Sequence, residues 1–174
     1  PQLTKTLAVA FAGHPWIETV HEVRNDWPRP IVIKVTYRQP IARVSVKTGF
    51  YAIDRHGVLL PPQDFTTAAL EALPPVMGIT TVPAGGAGQS WDDPAVLAAA
   101  ELAEFLQPRW EAWSLRAIVA PRRESATTTA DDLSFALETT TGSRILWGRP
   151  PSTQHPGELT AAQKAGRLQK YLAE

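Results

Sequence analysis

Four histidines, His14, His21, His56 and His155, are the side chains best suited to proton transfer or metal ligation near neutral pH. No two of them stand at helical ligand spacing and no HExxH occurs, so the sequence encodes no local zinc site. They fall near a helix end, on a strand, in a turn and in a proline-rich loop, and read as structural residues. Two acidic pairs, Asp92/Asp93 and Asp131/Asp132, raise the question of general acid–base chemistry. That chemistry needs two carboxyl groups held across a cleft in unlike surroundings. Asp92-Asp93-Pro94 reads instead as a helix cap with proline in the first turn. Asp131 and Asp132 lie in a polar stretch and are expected to be solvated. Gly85-Gly86-Ala87-Gly88 has the glycine content of a phosphate cradle but not the GK[ST] ending or a preceding strand. Ser45, Ser90, Ser114 and Ser134 carry no nucleophile-elbow signature. The reading is of no catalytic residue, no cofactor and no metal.

The six tryptophans, Trp16, Trp27, Trp91, Trp110, Trp113 and Trp147, are the unusual feature. Large aromatics dominate core burial, and they are also favoured as anchors in interfaces. Trp27, at the tip of a turn, and Trp147, at a strand end, are the candidates for contact with a partner.

Composition narrows the classes further. Lys+Arg and Asp+Glu number 17 each, so no global positive field collects phosphates, and no polybasic run binds anionic lipid. Cysteine is absent, which excludes disulfides, thiolate metal sites and a cysteine nucleophile. With 174 residues, 44% hydrophobic, the chain can bury a core without covalent staples. No stretch has the unbroken apolar length of a bilayer span. The first residue is Pro1, which reads as a piece of something longer, with any anchor or targeting segment upstream.

Sixteen prolines cut the chain into short elements. Thr4 to Phe11 is predicted as a helix with Leu3, Leu7, Ala10 and Phe11 on its apolar face. Ile17 to Arg24 and Ile31 to Arg38 are predicted strands joined by a turn through Trp27 and Pro28. Ile31, Ile33, Val35 and Tyr37 alternate with polar neighbours in the second strand. Pro40 ends it, and a boundary falls near Gln39 to Ile41. Beyond it come strands at Ala42 to Val46 and Phe50 to Ile53, a turn at Asp54 to Gly57 and a return through Val58 to Leu60. A short helix at Phe65 to Leu73 and a longer one from Asp93 to about Gln107 follow, the latter buried through Val96, Ala99, Ala103 and Leu106. Trp113 to Val119, Leu133 to Thr139 and Ser143 to Trp147 are strands, the last two joined at Thr140-Thr141-Gly142. Arg122 to Asp132 reads as a polar, mobile loop. A final helix from Glu158 to about Leu172 has Ala161, Ala165, Leu168 and Leu172 inward, with Lys164, Arg167 and Lys170 in water. The class is α+β: a helix-plus-hairpin unit, then a mixed β-sheet flanked by helices.

The stretch GHPWIETVHEVRNDWPRPIVIKVTYRQPIA, Gly13 to Ala42, resembles the FtsQ/DivIB family of bacterial cell-division proteins. Pro15-Trp16-Ile17 is similar to the family's "PWV", and Arg38-Gln39-Pro40-Ile41-Ala42 to its "ERxPVA", with Tyr37 where the family has Glu. Tyr51 to Asp54 with Gly57 to Leu59 resembles the hairpin that opens its β domain. Leu73 to Gly78 resembles its "LPxLxG", Leu146 to Arg149 its strand ending in "LG", and Lys164 to Leu172 the helix after it. The resemblance covers most of the chain in order and implies a partial POTRA-like domain over residues 1–40 and an FtsQ-type β domain over 41–174. It implies a periplasmic protein at the division site, held by one upstream transmembrane helix. The role would be a non-enzymatic scaffold for FtsB- and FtsL-like divisome proteins that helps regulate septal wall synthesis, with no cofactor and no nucleic acid. Two features depart from the family. The first POTRA strand and helix are not present, and further strands expected after the last helix are not present either. The chain is then a trimmed piece or a divergent member.

Three readings follow: a divisome scaffold, a POTRA-like module of an outer-membrane transport or secretion system, or an enzyme of unrecognised type. For the first, an open sheet edge is the natural docking surface. The candidate is Ser143, Arg144, Ile145, Leu146 and Trp147, with Trp27 as a separate contact. On this reading a proline or reversed charge at Ile145 weakens partner capture without unfolding the chain.

Overall fold

The computed structural model describes residues 2–122, 129, 132–153 and 155–173. The Arg122 to Asp132 loop and Asp131 therefore lie largely outside the described residues. The architecture is α+β, with a two-stranded sheet and a separate six-stranded mixed sheet.

The smaller sheet pairs β1 (Ile17–Arg24) with β2 (Val32–Tyr37) antiparallel, and α1 (Gln2–Ala12) lies across it. Val20 pairs with Val35 and Val23 with Ile33, giving these strands one apolar face. The helix meets it with Thr4, Leu7, Ala8 and Phe11, not with the expected Leu3 and Ala10, which are exposed. Two strands are too narrow to cover a wider stripe, and no residue of α1 is fully buried. A helix on a lone hairpin is marginal in water, so this unit depends on its contacts with the larger sheet.

Those contacts are polar and specific. Arg38 Nη1 donates to Asp54 Oδ2 at 2.6 Å, and Trp16 Nε1 donates to Asp64 Oδ2 at 2.6 Å. Arg55 Nη2 and His56 Nε2 both meet Glu18 Oε1, at 2.6 and 3.0 Å. The Arg55 hydrogen bond, helped by His56, holds the Glu18 carboxyl below its ordinary pKa. The Trp16 ring lies 5.8 Å from Phe65.

The larger sheet runs β4-β3-β5-β6-β7-β8. β3 (Ala42–Val46) and β4 (Gly49–Ile53) form an antiparallel hairpin. The chain passes through α2 (Thr67–Glu71) to β5 (Pro75–Met77), which pairs parallel with β3 and with β6 (Leu115–Val119). The crossover from β5 to β6 carries α3 (Pro94–Leu106), capped where Asp93 Oδ1 accepts from Ala95 N at 2.9 Å. β7 (Phe135–Thr139) and β8 (Arg144–Gly148) complete the sheet antiparallel, and α4 (Ala161–Ala173) follows. Val44, Val76, Ile118 and Leu137 stand in register on one face, where α3 and α4 cover them. α3 is buried on nearly every side, through Ala95, Ala98, Ala100 and Leu102 as well as the four expected positions.

Candidate functional site

One edge of the larger sheet is β8, which among the described residues pairs only with β7; the other, β4, is partly covered where Ile53 bridges Leu59 and Leu60 N bonds to Ala52 O. Which of the main-chain groups of β8 are free follows from the turn before it. Gly142, at φ +85°, closes a tight turn with Gly142 N bonded to Thr139 O at 3.0 Å. Thr139 N donates to Ser143 O at 3.0 Å, making Thr139/Ser143 a hydrogen-bonded pair. In an antiparallel ladder such pairs alternate with non-bonded ones. Leu137↔Ile145 is then a bonded pair, while Glu138↔Arg144 and Ala136↔Leu146 are not. Arg144 and Leu146 therefore turn their N–H and C=O groups outward, and Ile145 turns its own toward β7. The expectation for Ile145 is corrected accordingly: a proline there breaks the β7–β8 hairpin itself.

Beside this edge lies a groove of about 630 Å³ between β8 and α4. Ile145, Trp147, Leu168 and Tyr171 line it, with Arg144 on the strand and Arg167 on the helix. Leu146 is 83% exposed at its lip. Trp147, expected as a contact residue, is 4% exposed. Its ring is covered by Phe105 of α3 at 5.8 Å and by Lys164 Nζ at 5.7 Å, so it forms the wall of the groove and not its rim. Its indole N–H is buried and has no hydrogen-bond partner among the described residues.

Lys164 is the second correction. It does not face water but reaches Glu158 Oε1 and donates to Arg149 O at 3.2 Å. Glu158 also accepts from Arg149 N at 2.9 Å and Arg149 Nη1 at 2.8 Å. It stands outside α4 and not at its start, and these bonds fasten the helix beside β8. Burial opposes ionisation of Glu158, but the hydrogen bonds from Lys164 and Arg149 outweigh it and bring its pKa from 4.5 to about 2. A carboxyl depressed by folding stabilises the fold above its unfolded pKa, and that contribution disappears as pH falls through its folded value. Between pH 4.5 and about 2, α4 should lose its hold on β8. Glu158→Gln should be less stable than wild type near neutrality and show a flatter decline across this window. Thermal unfolding followed by far-UV circular dichroism checks this; equal acid slopes for the two proteins would refute it.

The other chemistry-bearing residues are scattered and occupied. His14 Nδ1 accepts from Trp16 N at 3.2 Å, His21 meets Thr36 Oγ1 at 2.6 Å, and His155 Nδ1 meets Pro156 O at 3.0 Å. Asp132, Ser134 and His155 line one recess of about 400 Å³. Asp132 there accepts from Thr129 N and Oγ1, and Ser134 and His155 share no hydrogen bond. In the glycine-rich loop, Gln89 N closes a turn onto Gly86 O and Gly88 N ties the loop to Leu59 O, so both amides are already used. Among the described residues, no three or more His, Asp or Glu side chains group as metal ligands, and no helix is long and apolar enough to cross a membrane.

Of the sequence-predicted contact residues, Ser143 to Trp147 come together at the groove. Trp27, 88% exposed, sits at the tip of the β1–β2 turn on the other sheet. Sequence reasoning missed the groove's second wall, Leu168, Tyr171 and Arg167, because only the fold brings α4 beside β8. No family model and no curated protein matches the chain.

Proposed function

We propose that the chain is a non-enzymatic docking module that takes up an extended segment of a partner protein along β8. The outward main chain of Arg144 and Leu146, beside an apolar groove, carries this reading: two donors and two acceptors lie ready to continue the sheet. Through its resemblance to FtsQ/DivIB, the module serves as a scaffold of the division machinery on the periplasmic side of the cytoplasmic membrane. Its partners are membrane-anchored proteins of the FtsB and FtsL type, and its role is to help regulate septal wall synthesis. Trp27 offers a separate point of contact.

The test is Leu146→Pro. Proline removes an outward N–H without touching the bonds to β7, and edge positions tolerate it. Co-purification with FtsB- and FtsL-like proteins, quantified against wild type, should fall by about tenfold, the effect of roughly one lost hydrogen bond plus the steric bulk of the ring. The far-UV spectrum should not change. Undiminished capture by a folded Leu146→Pro protein would show that β8 is not the docking edge.

A further inference from the structure

We infer that the face of the larger sheet turned away from α3 and α4 pairs with the same face of a second copy of this chain, about a two-fold axis that runs along the strands between β5 and β6. This pairing is independent of the docking edge at β8.

The strand register sets out what that face presents. Val44, Val76, Ile118 and Leu137 point toward the helices, so their neighbours along each strand point away. Two rows of side chains therefore cross the sheet on the far side. One runs Phe50, Ser45, Met77, Val119, Ala136 and Leu146, from β4 to β8. In it Phe50 is 52% exposed, Met77 44% and Leu146 83%. Large apolar side chains scattered singly on a surface are ordinary, whereas three in one row mark a contact surface. The other row runs Arg43, Pro75, Ala117 and Glu138.

Charge identifies the occupant. Arg43 and Glu138 stand three strands apart, about 14 Å at the spacing of a sheet, too far to meet. Among the described residues neither enters an ion pair or a side-chain hydrogen bond. The Arg43 guanidinium lies 4.8 Å from the centre of the Phe50 ring, and its Nε is buried without an acceptor. A copy turned by half a rotation about the stated axis sets β3 against β7, β4 against β8 and β5 against β6. Arg43 then faces Glu138 of the second copy, and Glu138 faces its Arg43, since isologous contacts come in reciprocal pairs. The apolar row matches as well. Phe50 falls opposite Leu146, Met77 opposite Val119, and the small Ser45 opposite the small Ala136. Arg144, beside Glu138 in the register but in no salt bridge with it, falls opposite Ala52 and so meets no second cation.

Sheets stacked in this way keep their strands within about 30° of one another. Six strands of about five residues offer a face of roughly 29 by 17 Å, or about 500 Å² per copy. A standard interface takes about 800 Å² per partner, so this dimer is weak and reversible.

Sedimentation velocity of the whole chain over about 10–500 μM, a range suited to a weak interface, tests this. The sedimentation coefficient should rise with concentration from that of a monomer toward that of a dimer. Arg43→Glu and Glu138→Arg each set two like-charge contacts across the axis, and each should weaken self-association by about tenfold or more. Mixed in equal amounts, the two variants should associate with each other as wild type does, because both contacts between them again join opposite charges. Met77→Lys, a change at an exposed position beside the axis, should weaken the dimer with no change in the far-UV spectrum. A chain that stays monomeric across the range would overturn the inference. So would a dimer that survives the charge reversals and Met77→Lys, or a mixture of the two charge variants that fails to associate.

Discussion

Asp54→Ala should lower the free energy of unfolding by about 3–5 kcal/mol, the cost of leaving a buried charge without its partner. The Asp54 side chain is 1% exposed and the Arg38 side chain 14%. One carboxylate oxygen accepts from His56 N and Val58 N, both at 2.9 Å, and the other takes the Arg38 guanidinium. Alanine orphans all three donors together. Among the described residues Arg38 Nε has no hydrogen-bond partner, so the Asp54 carboxylate is what satisfies this guanidinium. The loss is a large share of the roughly 5–15 kcal/mol that holds a domain folded. Arg38→Met should cost less, since Asp54 keeps its two backbone donors. That asymmetry separates a tie between the sheets from a simple surface ion pair. Urea unfolding of the three proteins measures it, and a shift below about 1 kcal/mol for Asp54→Ala would show that solvent reaches the pair.

Gly148→Ala should cost roughly 3 kcal/mol and act mainly on α4. Gly148 has φ +88°, where an L residue is strained by about 1–2 kcal/mol. A Cβ there would lie 2.6 Å from Glu158 Oε1 and 3.3 Å from Lys164 Nζ. The carboxylate must move, and its charged hydrogen bonds, worth about 1.5–3 kcal/mol each, weaken with it. Hydrogen exchange should show α4 amides losing protection while those of β7 and α3 keep theirs. Uniform loss across the chain would mean that the helix is not a separately fastened part.

Much of the frame was legible because its signals are local. The alternation of β2, the Asp93 cap before Pro94 and the Thr140 to Gly142 turn each rest on neighbouring residues. β5 was not legible. It is a strand of three residues that opens on Pro75, too short for any periodicity. It exists because Val76 fills the gap between Val44 and Ile118, residues far away in sequence. The site divides the same way. Ser143 to Trp147 could be chosen as an edge from their pattern and place after a turn. That Lys164 turns inward, or that Trp147 is walled in by Phe105, depends on elements meeting across the fold. The direction of the Ile145 main chain needed the hydrogen-bond phase of the hairpin, which residue types do not reveal.

Between Ala136↔Leu146 and Phe135↔Gly148, β8 holds one residue more than β7, so the regular edge ends after Leu146. A newcomer finds only about four rungs there. At a net 1 kcal/mol apiece these give on the order of 4 kcal/mol, a grip in the millimolar range. Side chains must therefore decide who stays, and occupancy can turn over quickly. A stub so brief also gives identical copies too little to zip onto, which guards against runaway fibre growth.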